Sequence, residues 1–153
     1  MFIHDVCSAL DKAGVTYAVV GGYAVALHGA IRGTVDVDIA IQWTLKNLQN
    51  TENAFKQLGL ISLIPITAEN LFHFREEYIQ NRNLIAWNFY DPSNPLNQVD
   101  IIINYDLQSI RNTKPIKTLS GTIRILSLND LIEMKTASGR PQDLEDVKAL
   151  SNL

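Results

Sequence analysis

A glycine pair followed by two aspartates inside apolar sequence constrains this chain more than any other feature. Residues 19–41 read V-V-G-G-Y-A-V-A-L-H-G-A-I-R-G-T-V-D-V-D-I-A-I. Gly21-Gly22 interrupts one apolar run, which predicts a strand, a sharp turn and then a restarted helix over 23–28. A second strand is expected over 34–42. Side chains at i and i+2 of a strand share a face, so Asp36 and Asp38 should project together while Val35, Val37, Ile39 and Ile41 pack on the other side. Two converging carboxylates beside a glycine turn outline a site for a divalent cation and a phosphate.

A third carboxylate comes from Q-V-D-I-I-I-N, where Asp100 breaks an apolar strand. An ionised group there costs several kcal/mol unless it is paired or binds a cation. If this strand lies beside that of Asp36 and Asp38, the three carboxylates meet at one edge and suit two Mg²⁺ ions and phosphoryl transfer. Each signal alone has a plainer explanation: D-x-D is common on solvated strands, and Gly-Gly commonly marks only a tight turn.

Periodicity supplies the surrounding elements. Ile3, Val6, Cys7, Leu10 and Ala13 fall at helical spacing, which predicts a helix over 2–13 and a strand over 16–20. A helix over 45–58 should stop at Gly59. Residues 59–66 suggest a strand, and 67–83 mix helical and strand signals. Strands over 84–90 and 98–104 are joined by D-P-S-N-P-L-N, a turn-forming connector that implies an antiparallel hairpin. A strand pair over 115–126 turns near Ser120-Gly121. Ser127 and Pro141 open two last helices, with Asp143, Glu145 and Asp146 in the early turns of the second. The expected class is α+β, a mixed β-sheet flanked by helices.

The 153 residues, 46% of them apolar, suit a single domain over 1–153. A net charge of −3 excludes the broad basic footprint of a dedicated nucleic-acid binder, though a nucleic acid remains admissible as a transient substrate. Cys7 has no partner for a disulfide and reads as a small buried hydrophobe. The N-terminus carries acidic residues where an export signal needs a basic start, and no apolar run reaches membrane-spanning length, so a soluble, cytoplasmic protein is expected.

Taken together, G-G, thirteen residues, D-x-D and a later strand aspartate resemble the nucleotidyltransferase superfamily that includes DNA polymerase β. The string G-G-Y-A-V-A-L-H-G-x-x-R-x-T-x-D-V-D-I and the closing S-L-N-D-L-I-E-M-K-T-A-S-G-R-P-Q-D-L-E-D-V-K-A-L resemble AbiEii-type toxins and small aminoglycoside and lincosamide nucleotidyltransferases. The resemblance implies a polymerase β-like fold. It implies Asp36 and Asp38 as the metal-binding pair and Asp100 as the third carboxylate, acting on the acceptor hydroxyl. The metal would be two Mg²⁺ ions, with Mn²⁺ as the alternative. Gly21, Gly22 and Tyr23 would contact the nucleotide. Many members have serine where this chain has Gly22, which leaves only the N–H to offer.

Arg32 and Thr34, just before the aspartates, are candidates to reach the β- or γ-phosphate. Lys135 is either a solvated lysine with its stem on the core or a phosphate binder. Arg140, Asp143 and Asp146 are expected to cap and pair around the last helix, and His28 to meet a helix C-terminus. Trp43, Trp87 and Phe72-His73-Phe74 either stack on a base or lie in the core. The implied activity is transfer of a nucleoside monophosphate from an NTP to a hydroxyl. The short chain favours a macromolecular acceptor, tRNA or protein, in a toxin-antitoxin-like role, or a site completed by a partner subunit or homodimer. The alternatives are an antibiotic nucleotidyltransferase and a non-catalytic nucleotide-binding module of the same fold.

Overall fold

A computed structural model describes all of residues 1–153. Seven strands form one mixed sheet: β1 (Tyr17–Val20), β2 (Val37–Ile41), β3 (Ile61–Ser62), β4 (Ala86–Asp91), β5 (Asn94–Ile102), β6 (Thr113–Thr118) and β7 (Gly121–Leu126). Their spatial order is β3-β4-β5-β2-β1-β7-β6. The β1–β2, β3–β4, β4–β5 and β6–β7 pairs are antiparallel, whereas β2–β5 and β1–β7 are parallel. Seven helices flank the sheet: α1 (Phe2–Lys12), α2 (Gly21–Leu27), α3 (Leu45–Gln57), α4 (Ala68–His73), α5 (Arg75–Arg82), α6 (Leu128–Ser138) and α7 (Pro141–Ser151). The α+β reading with a mixed sheet holds.

Strand alternation sorts the central rungs. Val37, Val99 and Phe89 align across β2, β5 and β4, and so do Ile39, Ile101 and Trp87; all six are 2% exposed or less. They belong to a core of 31 buried residues in which Phe55 meets Phe89 edge-on at 5.0 Å and Trp87 lies 4.7 Å from Phe89. Burying such a side chain contributes about 1.5–3 kcal/mol, which fixes the register and sends the intervening residues to the opposite face.

Several boundaries differ from the sequence expectation. The second strand starts at Val37 instead of Thr34, and residues 30–36 form a loop in which Val35 is 63% exposed. Val35 therefore does not pack with Val37, Ile39 and Ile41. The hairpin connector shrinks to Pro92-Ser93, because Asn94–Gln98 continue β5 and Asp91 accepts from both the backbone N–H and hydroxyl of Ser93. Residues 67–83 resolve into two short helices, the first capped by Thr67 accepting from Asn70 N. Only Ile61–Ser62 of 59–66 pair as strand. No helix is long and apolar enough to cross a membrane.

Candidate active site

The rung between the two apolar ones holds the polar residues. Val20, Asp38, Asp100 and Asn88 align across β1, β2, β5 and β4. Parallel pairing of β2 with β5 thus sets Asp38 directly beside Asp100 on one face. Asn88, which sequence reasoning missed, donates its amide N–H to Asp100 Oδ1 at 2.7 Å. Its position opposite Asp100 follows from hairpin register, which sequence spacing shows only once the connector length is known.

Burial is the largest influence on both carboxylates. It pushes Asp38 up to about 7, with the facing Asp100 and nearby Asp36 adding repulsion and Lys135 opposing it. Burial also raises Asp100, against the Asn88 hydrogen bond, and Asp36 adds to the rise. Asp36 precedes β2 in the loop, so its charge reaches the pair although it is not on the rung. The expected meeting of three carboxylates is thus only partly formed: no group of three or more His, Cys, Asp or Glu side chains closes into a metal cage.

The glycine pair lies against this rung. Helix α2 begins at Gly21 itself, two residues earlier than expected, with Gly21 at φ +65°. A Cβ there would overlap Asp38 Oδ2 and stand 2.8 Å from Asp38 Cγ. Gly21 is therefore required twice, by its backbone angle and by contact with the carboxylate. A Cβ on Gly22 would stand 2.7 Å from Thr34 Cβ and 3.3 Å from Arg32 Cζ. Thr34 and Arg32 thus pack onto the turn, and a serine at Gly22 would need them to move. The Thr34 hydroxyl donates to Asp36 O at 3.4 Å, and Tyr23 is half-buried against the core.

Lys135 is not a solvated lysine. It is 6% exposed, and its Nζ donates to Asp146 Oδ2 at 2.8 Å and Asp143 Oδ1 at 3.4 Å. Asp146 Oδ1 accepts from Arg32 Nε at 3.0 Å, and Asp143 Oδ2 accepts from Arg140 Nε at 2.8 Å. Asp143, expected to cap and pair around the last helix, does both, accepting from the Arg140 backbone N–H at 3.3 Å and pairing with its guanidinium; Asp143 and Asp146 are 3% and 2% exposed and also bind Lys135. The signal available was their i,i+3 spacing on α7, which puts both on one face.

The other candidates are structural. Trp87 is wholly buried, its indole N–H donating to Ser62 Oγ. Trp43 lies under the Arg75 guanidinium at 4.3 Å, and Phe72 packs on the core whereas Phe74 is exposed. His28 Nε2 bonds Leu126 O at 2.7 Å, tying the end of α2 to β7. Cys7 is buried, and burial pushes its thiol up to about 12.

No family model and no curated protein matches the sequence. Solved structures do. The chain is similar to ANT(2'')-Ia in complex with adenylyl-2''-tobramycin, with TM-score 0.63 and 13% identity over 98% of this chain and 86% of that one. It is also similar to the lincomycin-bound lincosamide antibiotic adenylyltransferase LnuA, with TM-score 0.58, 12% identity and 92% and 89% coverage. A putative nucleotidyltransferase from Thermotoga maritima gives TM-score 0.60, 14% identity and 96% and 88% coverage. The chain has the nucleotidyltransferase fold. Because it spans most of the length of the two antibiotic-modifying proteins, its shortness does not separate small from macromolecular acceptors.

Proposed function

We propose that this chain transfers a nucleoside monophosphate from an NTP to an acceptor hydroxyl. The observation that supports this most is the rung that sets Asp38 beside Asp100 with Gly21 pressed against the Asp38 carboxylate. Two repelling, half-buried carboxylates, of which Asp100 has the neutral Asn88 amide as its hydrogen-bond donor, suit a divalent cation, so Asp38 and Asp100, with Asp36 from the loop, would hold Mg²⁺ or Mn²⁺. Bound there, the ion supplies charge neutralisation on a triphosphate and a lowered pKa for a coordinated hydroxyl.

The chain's own groups do the rest. Gly21 admits the Asp38 carboxylate and Gly22 the Thr34 and Arg32 side chains, and Arg32 and Lys135 would place positive charge beside a bound phosphate. Asp100 keeps one oxygen on Asn88 and offers the other to the acceptor O–H proton. The acceptor oxygen then bonds the α-phosphorus in line as the bond to pyrophosphate breaks and pyrophosphate leaves.

A tRNA or protein hydroxyl is the acceptor class in the toxin-like reading. A second reading is favoured by a cavity of about 680 Å³ between the end of β5 and α6, which Ile102 and Asn104 line two and four residues beyond Asp100. Asp106, Asp130, Glu133 and Arg140 also line it, and this predominantly acidic wall suits a small cationic polyol better than a phosphate backbone.

The test is incubation with Mg²⁺ and each α-labelled NTP in host lysate, or with aminoglycosides, separating RNA, protein and small molecules. Label in one fraction that disappears in Asp38→Ala, with the fold intact by circular dichroism, is the expected result. Wild-type transfer by that variant would show that the site is elsewhere.

A further inference from the structure

We propose that Asp146 is a positioning residue that orients Arg32 and Lys135 as one preformed cationic wall for the triphosphate. It is 2% exposed and sits on α7, 114 residues from Arg32 in sequence. Its two oxygens are divided: Oδ1 accepts from Arg32 Nε at 3.0 Å and from Gln142 Nε2 at 3.0 Å, and Oδ2 accepts from Lys135 Nζ at 2.8 Å. This rests on the nucleotidyl-transfer reading and adds to it a residue that touches neither nucleotide nor carboxylate rung.

Arg32 needs such an anchor. It belongs to the irregular loop 30–36, whose neighbours Ile31 and Val35 are largely exposed, and within that loop the Gly33 carbonyl alone accepts from its side chain. The bond to Asp146 lays the guanidinium against Gly22. Nε is spent on Asp146 and Nη1 on Gly33 O, and Nη2 is in neither contact. Lys135 is anchored by the same carboxylate on the side whose charge reaches Asp38.

Arg32, Lys135 and Arg140 share two carboxylates, Asp143 and Asp146, in this network, and the charges of Lys135 and Arg140 also reach Asp38. Charge-assisted contacts to an anion are strongest when the donors are already oriented, because no rotamer freedom is then lost on binding.

The test is calorimetric titration of the full chain with ATP, CTP, GTP and UTP in Mg²⁺, alongside thermal melts. Asp146→Asn should weaken the preferred NTP at least about tenfold, the size of one charge-assisted hydrogen bond. Asp143→Asn, which disturbs Lys135 and Arg140 but leaves the Arg32–Asp146 bond, should lower Tm by a similar amount while weakening binding clearly less than Asp146→Asn does. With both cations removed, Asp146→Asn added to the Arg32→Gln/Lys135→Gln variant should weaken binding no further. Equal weakening by Asp143→Asn and Asp146→Asn would make the role merely structural and overturn the proposal. Should Asp146→Asn not fold, Arg32→Lys, which keeps the charge but loses the guanidinium fork, decides: weaker binding supports the proposal and unchanged binding overturns it. A wild type that binds none of the four NTPs sinks the nucleotidyl-transfer reading, and the positioning role with it.

Discussion

Gly21 is where backbone and chemistry meet most tightly. Its φ of +65° lies in the region that L side chains avoid, and a Cβ would enter the space of the Asp38 carboxylate. Gly21→Ala should cost about 1–3 kcal/mol in stability. It should also lower transfer about a hundredfold by displacing Asp38, since misplacement of about 1 Å has that consequence. Turnover compared with the melting temperature checks it: a loss of stability with unchanged turnover would mean that Asp38 is not in the site. The glycine pair, Asp38 and Asp100 were legible because turn chemistry and alternation are local properties, whereas Asp36 fell outside the alternation because β2 starts only at Val37. Asn88 and the buried partners of Lys135 were not, because each depends on strand register or helix docking across long stretches of sequence.

Among the elements, α6 and α7 depend most on charge. A lysine buried on α6 is tolerable only with its counter-ions, and α7 delivers both from one face. Burial opposes ionisation of Asp143, but the Arg140 and Ser138 hydrogen bonds and the Arg140 and Lys135 charges prevail and lower it to about 2. A carboxyl lowered in the folded state contributes stability above its unfolded value near pH 4, and that stability fades as pH falls toward 2. The loss amounts to about 2 kcal/mol. Urea midpoints at pH 6, 4 and 3 should therefore drop less in Asp143→Asn than in the wild type. Parallel decline would show that Asp143 is not held ionised by this network. Helical periodicity located both helices, yet it could not show that Lys135 faces inward, since its neighbours Leu131, Ile132 and Met134 leave the buried stripe ambiguous. In the same way β2 lost residues 34–36 because Thr34 packs on Gly22 instead of pairing with a strand.

Over the whole molecule, the sheet order brings segments distant in sequence to one place: β2 and β5 supply the carboxylates, the β1–α2 turn the close backbone, and α7 the anchor for Arg32. Such a centre is built at a cost to stability, because Asp38 and Asp100 repel each other inside a partly desolvated face. Relieving that repulsion in two ways should have opposite functional results. Asp38→Asn should raise the stability of the metal-free protein by about 1 kcal/mol while ending transfer. Mg²⁺ should instead stabilise the wild type by mass action, about 2.7 kcal/mol at a hundred times its dissociation constant. For a chain of this length that is a rise of about 5–10 °C in Tm. Thermal melts with and without Mg²⁺ read both effects. A wild-type Tm indifferent to Mg²⁺, or an Asp38→Asn variant that still responds fully, would mean that the ion is not held by the Asp38–Asp100 pair.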